Sequence, residues 1–310
     1  MENEEKDLKN DMFEKLSRII DKKNIYINEP MKKHTTFRVG GPADYFVLPT
    51  EVSQIINCIQ LCKEEQIPYF ILGNGSNLLV SDKGYRGVVI QIYKNMNHIQ
   101  IDGHKIKAQA GALLSQIAKK ALDAGLSGFE FASGIPGTLG GAAVMNAGAY
   151  GGEMKDILTS VTVLDENGQI LHLEAKDLQL GYRTSIIKEK GYVVLEVELE
   201  LQMGDPTQIQ KRMEELKGQR VTKQPLEFPS AGSTFKRPVG YFAGKLIQDA
   251  GLRGFQIGDA QVSEKHCGFV INRGNATASE IAELIREVQR RVWENSGVHL
   301  ETEVKFLGDF

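Results

Sequence analysis

Hydrophobic and polar positions along this chain follow two periods, one typical of helices and one typical of strands. Helical spacing of apolar residues predicts helices over residues 51–63, 113–124, 207–222, 241–250 and 279–296, after a short amphipathic helix over 5–22 that includes Leu8. Apolar runs and alternating positions predict strands over residues 43–48, 69–72, 88–92, 99–101, 105–110, 158–164, 170–173, 192–201, 266–271 and 298–307. A capping box, Thr277 with Glu280, begins the last helix and Gly297 ends it. Helices mixed with hairpins predict an α+β protein.

The first glycine-containing loop follows the second strand of a predicted β-α-β unit and reads Gly73-Asn74-Gly75-Ser76-Asn77. Ligands of α/β folds bind beyond the carboxyl ends of strands. Gly73 and Gly75 can take positive φ, so that the amides of this loop can converge on an anion. The Ser76 and Asn77 side chains add further donors. The loop is therefore a candidate phosphate site.

A second stretch, Ser133–Gly152, contains seven glycines and four alanines. It is not a flexible linker, because Ile135, Pro136, Leu139 and Val144 are too apolar for one. A packed segment without side chains lets the main chain lie against something flat or phosphorylated. Two such backbone sites predict one long ligand that carries phosphate, and a dinucleotide fits this description.

Composition narrows the class of protein. The 310 residues, 41% hydrophobic and 25% charged, are ordinary for a globular protein with an ample core. A net charge of −3 without a basic stripe argues against a nucleic-acid binder. No apolar run reaches the about 18 residues of a membrane span, and the acidic N-terminus lacks signal-peptide order. Cys58 and Cys62 lie four apart on a predicted helix, which suits buried packing better than a metal site. We expect a cytoplasmic protein without a metal.

Familiar catalytic motifs do not occur in this sequence. There is no G-x-G-x-x-G at the first strand–helix turn, no Walker sequence, no H-E-x-x-H and no G-x-S-x-G. Three polar residues have unusual neighbours, although each has a structural explanation when taken alone. Arg183 can stack on Tyr182, Ser233 can belong to a turn, and Glu303 can be a solvated carboxylate on the last strand.

Seven short stretches within residues 36–304 together resemble the UDP-N-acetylenolpyruvoylglucosamine reductases, also called UDP-N-acetylmuramate dehydrogenases. They are Thr36–Ala43, Leu72–Leu79, Gly134–Gly141, Asn146–Gly151, Tyr182–Ser185, Ala231–Lys236 and Leu300–Val304. The resemblance implies a two-subdomain FAD-binding fold of the vanillyl-alcohol-oxidase type plus a C-terminal α+β substrate-binding domain. It implies an N-terminal helix at 1–25, FAD subdomain 1 at 26–97 with the C-terminal strand 298–310, FAD subdomain 2 at 98–205, and the substrate domain at 206–297.

The same resemblance implies non-covalent FAD, since neither glycine loop holds a histidine or cysteine for attachment, and NADPH as co-substrate. The residues expected at FAD are Gly73, Asn74, Gly75, Ser76, Asn77, Gly134, Ile135, Pro136, Gly137, Thr138, Gly140, Gly141, Asn146 and Gly148. The residues expected at the sugar nucleotide are Tyr150, Lys223, Lys236 and Arg237. The compact stretch from Arg183 to Ser233 resembles the shorter subtype, which lacks a segment that places a tyrosine over the nucleotide.

The implied reaction reduces the enolpyruvyl ether of UDP-N-acetylglucosamine to UDP-N-acetylmuramate, a step of peptidoglycan precursor synthesis. The family's three catalytic residues fall on Arg183, Ser233 and Glu303. Arg183 suits a carboxylate that gains charge, and Ser233 would protonate the resulting carbanion. Glu303 has to be protonated, or to hold a water, because a bare carboxylate would repel that charge.

Two alternatives remain open from the sequence. The first is a flavin oxidase or dehydrogenase of the same fold that acts on another small molecule. The second is a nucleotide-binding module without catalytic activity, which leaves Arg183 and Ser233 unexplained. We expect a monomer that binds a sugar nucleotide and NADPH, and neither nucleic acid nor a membrane.

Overall fold

The computed structural model describes residues 11–310, which form two compact units. Unit 1 comprises the described residues up to Asn28 together with Tyr45–Asn74 and Gly87–Gly218. Unit 2 comprises Glu29–Asp44, Gly75–Arg86 and Gln219–Phe310. Each unit is therefore assembled from segments that are distant in sequence. Within residues 11–310, no helix combines the length and the apolar character needed to cross a membrane.

The regular elements are numbered in chain order. The strands are β1 (Ile25–Pro30), β2 (Pro42–Val47), β3 (Tyr69–Leu72), β4 (Leu78–Val80), β5 (Tyr85–Gln91), β6 (Ile99–Asp102), β7 (Lys105–Gln109), β8 (Leu126–Ser127), β9 (Gly148–Ala149), β10 (Gly152–Glu153), β11 (Leu158–Leu164), β12 (Ile170–Glu174), β13 (Val193–Glu200), β14 (Gln202–Met203), β15 (Gln256–Ile257), β16 (Ala260–Val262), β17 (Val270–Asn272) and β18 (Lys305–Leu307). The helices are α1 (residues 11–17), α2 (Val52–Glu64), α3 (Leu114–Asp123), α4 (Leu139–Val144), α5 (Ile186–Lys190), α6 (Pro206–Lys223), α7 (Ala243–Asp249) and α8 (Ala278–Ser296).

The larger sheet of unit 1 has the antiparallel order β12-β11-β13-β7-β6. The predicted alternation of β13 places its valines in the core. Val197, for example, pairs with Val161 on one side and with Ala108 on the other, and all three are buried. Helix α4 packs against β13, and its glycines and alanines permit this close approach. The second glycine-rich stretch is therefore fixed against the sheet.

Strands β3 and β5 of unit 1 run parallel in a sheet of order β1-β2-β5-β3. The register pairs Leu72 with Gln91, so that the first glycine-containing loop starts beside Gln91. Helix α2 buries Ile55, Cys58, Ile59 and Cys62. Burial raises the pKa of Cys58 and of Cys62 to about 12, which keeps both thiols neutral. These cysteines pack in the core, as the sequence predicts.

Unit 2 is organised by helix α8. One face of α8 is buried, and the predicted capping box is present at its start: the Thr277 side chain accepts from the Glu280 N–H, and the Glu280 carboxylate accepts from the Thr277 N–H. Gly297 ends the helix with φ +68°. A small antiparallel sheet of order β15-β16-β17 packs against α8. The short strand β4 pairs in parallel with the C-terminal strand β18.

The structure confirms the five longer predicted helices to within two residues at each end, but it corrects two strands. The predicted strand 266–271 is reduced to Val270–Asn272, because His266 turns the chain. The Phe269 N–H donates to the His266 carbonyl at 2.9 Å and the Gly268 N–H donates to His266 Nδ1 at 3.1 Å. These bonds form a turn at residues 266–269, where the prediction has a strand.

The predicted strand 298–307 is regular only over Lys305–Leu307. Near its start, His299 stacks on Trp293 at 3.8 Å between ring centroids, and the Leu300 carbonyl accepts from a side chain of α8. Phe306, which the alternation places inward, is exposed and contacts Phe310 instead. For the predicted helix over 5–22, residues 11–17 are helical, and its first part, with Leu8, lies outside the described residues.

Candidate active site

The two glycine-rich segments meet within unit 1. A Cβ added to Gly73 would lie 2.5 Å from the Thr138 hydroxyl oxygen, so that any larger residue there would displace Thr138. The adjacent Asn74 donates from Nδ2 to the Pro136 carbonyl at 2.8 Å. Segments that are more than 60 residues apart in sequence therefore form one surface of nearly bare main chain.

The second glycine-rich segment is held by hydrogen bonds to the chain between β7 and α3. The Leu139 N–H donates to the Ala112 carbonyl at 2.8 Å and the Gly140 N–H donates to the Ala110 carbonyl at 2.8 Å. A Cβ on Gly140 would lie 2.8 Å from the Ala110 Cβ, whereas a Cβ on Gly141 would meet nothing closer than 3.5 Å. Gly140 is thus required by the fold itself, and Gly141 is not.

The loop after Gly73 continues into unit 2 with a sharp turn. Gly75 has φ +62°, and a Cβ there would clash with the His34 carbonyl oxygen. The Gly75 carbonyl accepts from the Thr36 N–H at 3.1 Å. Of the two glycines predicted to allow positive φ, only Gly75 uses it, because Gly73 instead provides room for Thr138.

Gln91 is a candidate that the sequence analysis missed. Its side chain is 3% exposed at the end of β5, and its Nε2 donates to the Gly73 carbonyl at 3.3 Å. Because that carbonyl can only accept, the amide nitrogen faces it and Oε1 points elsewhere. Among the described residues, Oε1 has no hydrogen-bond partner. A buried acceptor without a donor is costly, and here it lies beneath the start of the glycine loop. A glutamine inside the apolar run 88–92 is the signal that the sequence offered.

Arg183 lies in a tight turn of unit 1. Gly181 and Thr184 exchange main-chain hydrogen bonds across this turn, at 3.1 and 3.4 Å, and Arg183 has φ +56°. Its guanidinium donates from Nη2 to the Gly148 carbonyl at 3.2 Å and lies 5.1 Å from the centroid of the Tyr182 ring. A positive φ is costly for arginine, so this conformation depends on the contacts around the turn.

Asn146 ties the second glycine-rich segment to the Arg183 turn. It is fully buried with φ +41°, and its Nδ2 donates to the Gly181 carbonyl at 3.0 Å and to Glu153 Oε2 at 2.7 Å. Its Oδ1 accepts from the Lys155 N–H at 2.9 Å. Its neighbour Tyr150 also has positive φ, at +53°. Three predicted site residues other than glycine, Asn146, Tyr150 and Arg183, are therefore held in the left-handed region of φ.

Ser233 and Glu303 are brought together within unit 2. Phe235 and Thr302 form an antiparallel bridge, and the Glu303 N–H donates to the Thr234 carbonyl at 2.8 Å. Thr234 is fully buried, and its hydroxyl accepts from the Val270 N–H at 2.9 Å, whereas the adjacent Ser233 is exposed. Gly232 precedes Ser233 with φ +76°. The turn at Gly232 and the short pairing after it thus hold the segment that contains Ser233 against the segment that contains Glu303.

The predicted substrate cations of unit 2 have different surroundings. Lys236 continues the same pairing, with its N–H on the Glu301 carbonyl at 2.9 Å and its Nζ on the Glu301 carboxylate at 2.7 Å. Arg237 stacks its guanidinium 4.0 Å from the Phe242 ring centroid. Lys223 is exposed at the end of α6. The fourth predicted substrate residue, Tyr150, lies in unit 1 with Arg183.

The chain matches a known family of cofactor-binding domains. The sequence profile of the FAD binding domain family matches residues 43–174, which include both contacting glycine-rich segments. The bare backbone and the orphaned acceptor beneath it fit an elongated ligand with phosphates and hydroxyl groups. Profile and site together define an FAD-dependent oxidoreductase.

The profile of the UDP-N-acetylenolpyruvoylglucosamine reductase C-terminal domain matches residues 224–307. The reductase of that name from Clostridioides difficile is 55% identical, over 96% of this chain and 98% of its own length. That of Alkaliphilus oremlandii is 52% identical, over 96% and 98%. The crystal structure of the Thermus caldophilus reductase superposes with a TM-score of 0.77 at 36% identity, over 92% of this chain and 98% of that one.

The chain belongs to the UDP-N-acetylenolpyruvoylglucosamine reductase family. This membership confirms the predicted α+β fold with its FAD-binding part and C-terminal domain. It favours the reductase over an oxidase of the same fold, and it contradicts a module without catalytic activity. The residue roles and domain boundaries given above stay predictions.

Proposed function

We propose that this chain reduces the enolpyruvyl ether of UDP-N-acetylglucosamine to UDP-N-acetylmuramate, as the names of its relatives indicate. This reaction belongs to peptidoglycan precursor synthesis. The observation that carries the proposal is the pairing that holds Ser233 beside Glu303. A flavin fold that acts on a different substrate has no need of an alcohol and an acid on two paired segments at this position.

We assign the FAD site to the glycine loop 73–77 and the segment 134–141, with Asn146 and Gly148. Main-chain N–H groups of the first loop would hold the diphosphate, and the second segment would lie along the flavin and its ribityl chain. Gln91 joins this set, because its buried Oε1 can accept from a cofactor hydroxyl or N–H group. Bound FAD would supply a hydride, taken from NADPH, to the methylene carbon of the enolpyruvyl group.

Arg183 would bind the carboxylate of the enolpyruvyl group. When the methylene carbon gains a hydride, negative charge develops on the neighbouring carbon and spreads into that carboxylate. A guanidinium is always charged and can donate two parallel hydrogen bonds to a carboxylate, so it stabilises this charge as it grows. The strained turn supports the assignment, because strain of this kind clusters at functional sites.

Ser233 would then donate its proton to the carbon that carries the charge. An alcohol is a weak acid, but the carbanion is a much stronger base, and a nearby cation such as Lys236 would stabilise the alkoxide for a short time. Glu303 would act on the same intermediate, either protonated or through a water that it holds, since an ionised carboxylate would oppose the charge.

The remaining cations would bind the nucleotide end of the substrate. We assign Lys223, Lys236 and Arg237 to the diphosphate and uridine side, and Tyr150 to the sugar. Lys236 is already paired with Glu301, whose carboxylate is largely exposed at 73%. Exchange of such an exposed partner for a diphosphate costs little, because surface ion pairs contribute about 0–1 kcal/mol.

We further propose that the protein works in the cytoplasm as a monomer. The free cysteines Cys58, Cys62 and Cys267 are all buried, which agrees with a reducing compartment. Light scattering of the purified protein measures the oligomeric state directly.

The proposed function is tested with purified protein in two steps under anaerobic conditions. NADPH should bleach the visible flavin bands, and the enolpyruvyl sugar nucleotide should restore them and yield UDP-N-acetylmuramate. UDP-N-acetylglucosamine without the enolpyruvyl group is the matched control and should leave the flavin bleached. Rapid reoxidation by oxygen with peroxide release, and none by the sugar nucleotide, would support an oxidase instead.

A further inference from the structure

Asn77 ends the first glycine loop and directly precedes strand β4. Its side chain donates from Nδ2 to the main-chain carbonyl of Glu303 at 3.1 Å. Its own main-chain carbonyl accepts from the Lys305 N–H at 3.1 Å. Both partners lie in unit 2 with Asn77. One loop residue therefore holds the chain on both sides of Val304.

The backbone of Glu303 lies between two different pairings. On one side, its N–H donates to the Thr234 carbonyl, within the short pairing that also carries Ser233. On the other side, the parallel register of β4 and β18 begins with Leu78 opposite Lys305. The predicted single strand is broken between these pairings. The Asn77 side chain donates to the Glu303 carbonyl at this break, where no regular ladder runs.

We propose that Asn77 is a positioning residue for Glu303 and links the phosphate-binding loop to the acid of the reaction; this inference rests on the proposed function. The main chain of Asn77 belongs to the loop that would hold the FAD diphosphate, while its side chain fixes the Glu303 backbone. The two roles use different atoms and do not compete. Binding of the cofactor diphosphate at this loop then also orders the segment that carries Glu303.

This role predicts an unequal effect on the two half-reactions. Bleaching of the flavin by NADPH does not use Glu303, whereas its reoxidation by the enolpyruvyl sugar nucleotide does. A catalytic group displaced by about 1 Å can cost up to about 100-fold in rate. A residue that served only the cofactor would instead weaken FAD binding and slow both half-reactions together.

The test is Asn77→Ala in the full-length holoenzyme, measured by anaerobic stopped flow alongside the wild type. We expect reoxidation by the sugar nucleotide to slow by about 10- to 100-fold, and by clearly more than any change in FAD affinity or in the rate of bleaching. In a Glu303→Gln background, Asn77→Ala should slow reoxidation by less than about twofold, because both changes act on the same group. Asn77→Ser repeats the comparison if the alanine variant folds poorly, since its shorter hydroxyl cannot reach the Glu303 carbonyl.

Equal slowing of both half-reactions, loss of FAD in both variants, or an undiminished effect in the Glu303→Gln background would overturn the inference. These outcomes differ from failure of the proposed function. In that case, the reduced wild-type protein would itself not be reoxidised by the enolpyruvyl sugar nucleotide.

Discussion

The candidate cofactor surface of unit 1 and the acid–alcohol pairing of unit 2 are built in opposite ways. In unit 1, side chains are missing where the main chain is approached closely, as at Gly73 beside the Thr138 hydroxyl. In unit 2, ordinary residues are aligned by a few backbone hydrogen bonds, as between Thr234 and Glu303. A surface formed by glycines can be recognised from the composition of the sequence. A site formed by the pairing of two distant segments cannot, because it depends on which segments meet in the fold.

The two regions also differ in backbone strain. Asn146, Tyr150 and Arg183 of unit 1 all have positive φ, and strain of this kind costs about 1–3 kcal/mol each. Asn146 and Arg183 keep these conformations through the Asn146 amide and the main-chain bonds of the Arg183 turn, and Tyr150 lies in the turn between the paired residues Ala149 and Gly152. Ser233 and Glu303 carry no such strain, since neither has a positive φ. Substitutions of Asn146, Tyr150 and Arg183 should therefore affect the fold together with binding, whereas those of Ser233 and Glu303 should affect chemistry alone.

Ser233→Ala gives the largest expected effect. It tests whether a substitution at the Ser233–Glu303 pairing changes the chemistry without changing the stability. Loss of a proton donor typically costs about 10²- to 10⁴-fold. Reoxidation of the bleached flavin by the sugar nucleotide should fall by this factor, while bleaching by NADPH and the thermal midpoint of unfolding stay unchanged. Ser230→Ala, in the same segment, is the matched control and should keep both rates. Fast product formation by Ser233→Ala would remove this residue from the mechanism.

The sequence predicted the two kinds of site unequally. Helix periods located the longer helices, and the glycines of 73–77 and 134–141 pointed to the candidate cofactor surface, because both signals are local. The roles of Arg183, Ser233 and Glu303 came from resemblance, since each has an ordinary local explanation. The break in the last strand was missed because it depends on two side-chain contacts that alternation does not report: Trp293 stacks on His299, and Asn77, which is distant in sequence, bonds to Glu303.

Substitution of two neighbouring glycines, Gly140 and Gly141, distinguishes a role in the stability of unit 1 from a role in FAD binding. Gly140→Ala forces a Cβ to 2.8 Å from the Ala110 Cβ, and overpacking of this kind costs about 1–3 kcal/mol. The free energy of unfolding of the apoprotein should fall by that amount. Gly141→Ala meets nothing closer than 3.5 Å, so the apoprotein should stay stable. If its bare main chain faces the flavin, its dissociation constant for FAD should rise by roughly tenfold.

Urea unfolding of both apoproteins and titration with FAD provide these values. Equal stabilities for Gly140→Ala and Gly141→Ala would show that the contact at Ala110 relaxes easily. Unchanged FAD affinity in Gly141→Ala would remove that glycine from the cofactor surface.

Gln91→Leu tests whether the orphaned acceptor serves the cofactor or only the loop. Leucine keeps the volume but loses both the donor to the Gly73 carbonyl and the free Oε1. A purely structural role would lower the stability of apoprotein and holoprotein equally. A cofactor role should shrink the stabilisation that FAD adds, because a hydrogen bond of about 1 kcal/mol is lost only in the complex. Thermal midpoints with and without FAD measure the difference, with the exposed Gln100→Leu as control.

The smallest effect concerns the scaffold of unit 2. Asp82 accepts hydrogen bonds from the Ala278 and Ser279 N–H groups, each at 2.8 Å, and from the Ser279 hydroxyl at 2.7 Å. Partial burial raises the pKa of Asp82, but these hydrogen bonds together lower it more, so that its pKa in the folded protein lies below the usual value. The ionised carboxylate therefore stabilises the start of α8.

Asp82→Ala should reduce the free energy of unfolding by about 1 kcal/mol at pH 7. Because the pKa is depressed by folding, this contribution is present above the unfolded pKa of about 3.9 and is lost as the pH falls through the lower folded value. Urea unfolding of wild type and variant should accordingly converge below about pH 4, whereas Asp102→Ala, an exposed control, should differ little from wild type at any pH. A constant difference across this range would mean that Asp82 acts through packing rather than charge. The contact of Asp82 with the start of α8 would then resemble the glycine contacts of unit 1, which depend on close packing rather than on charge.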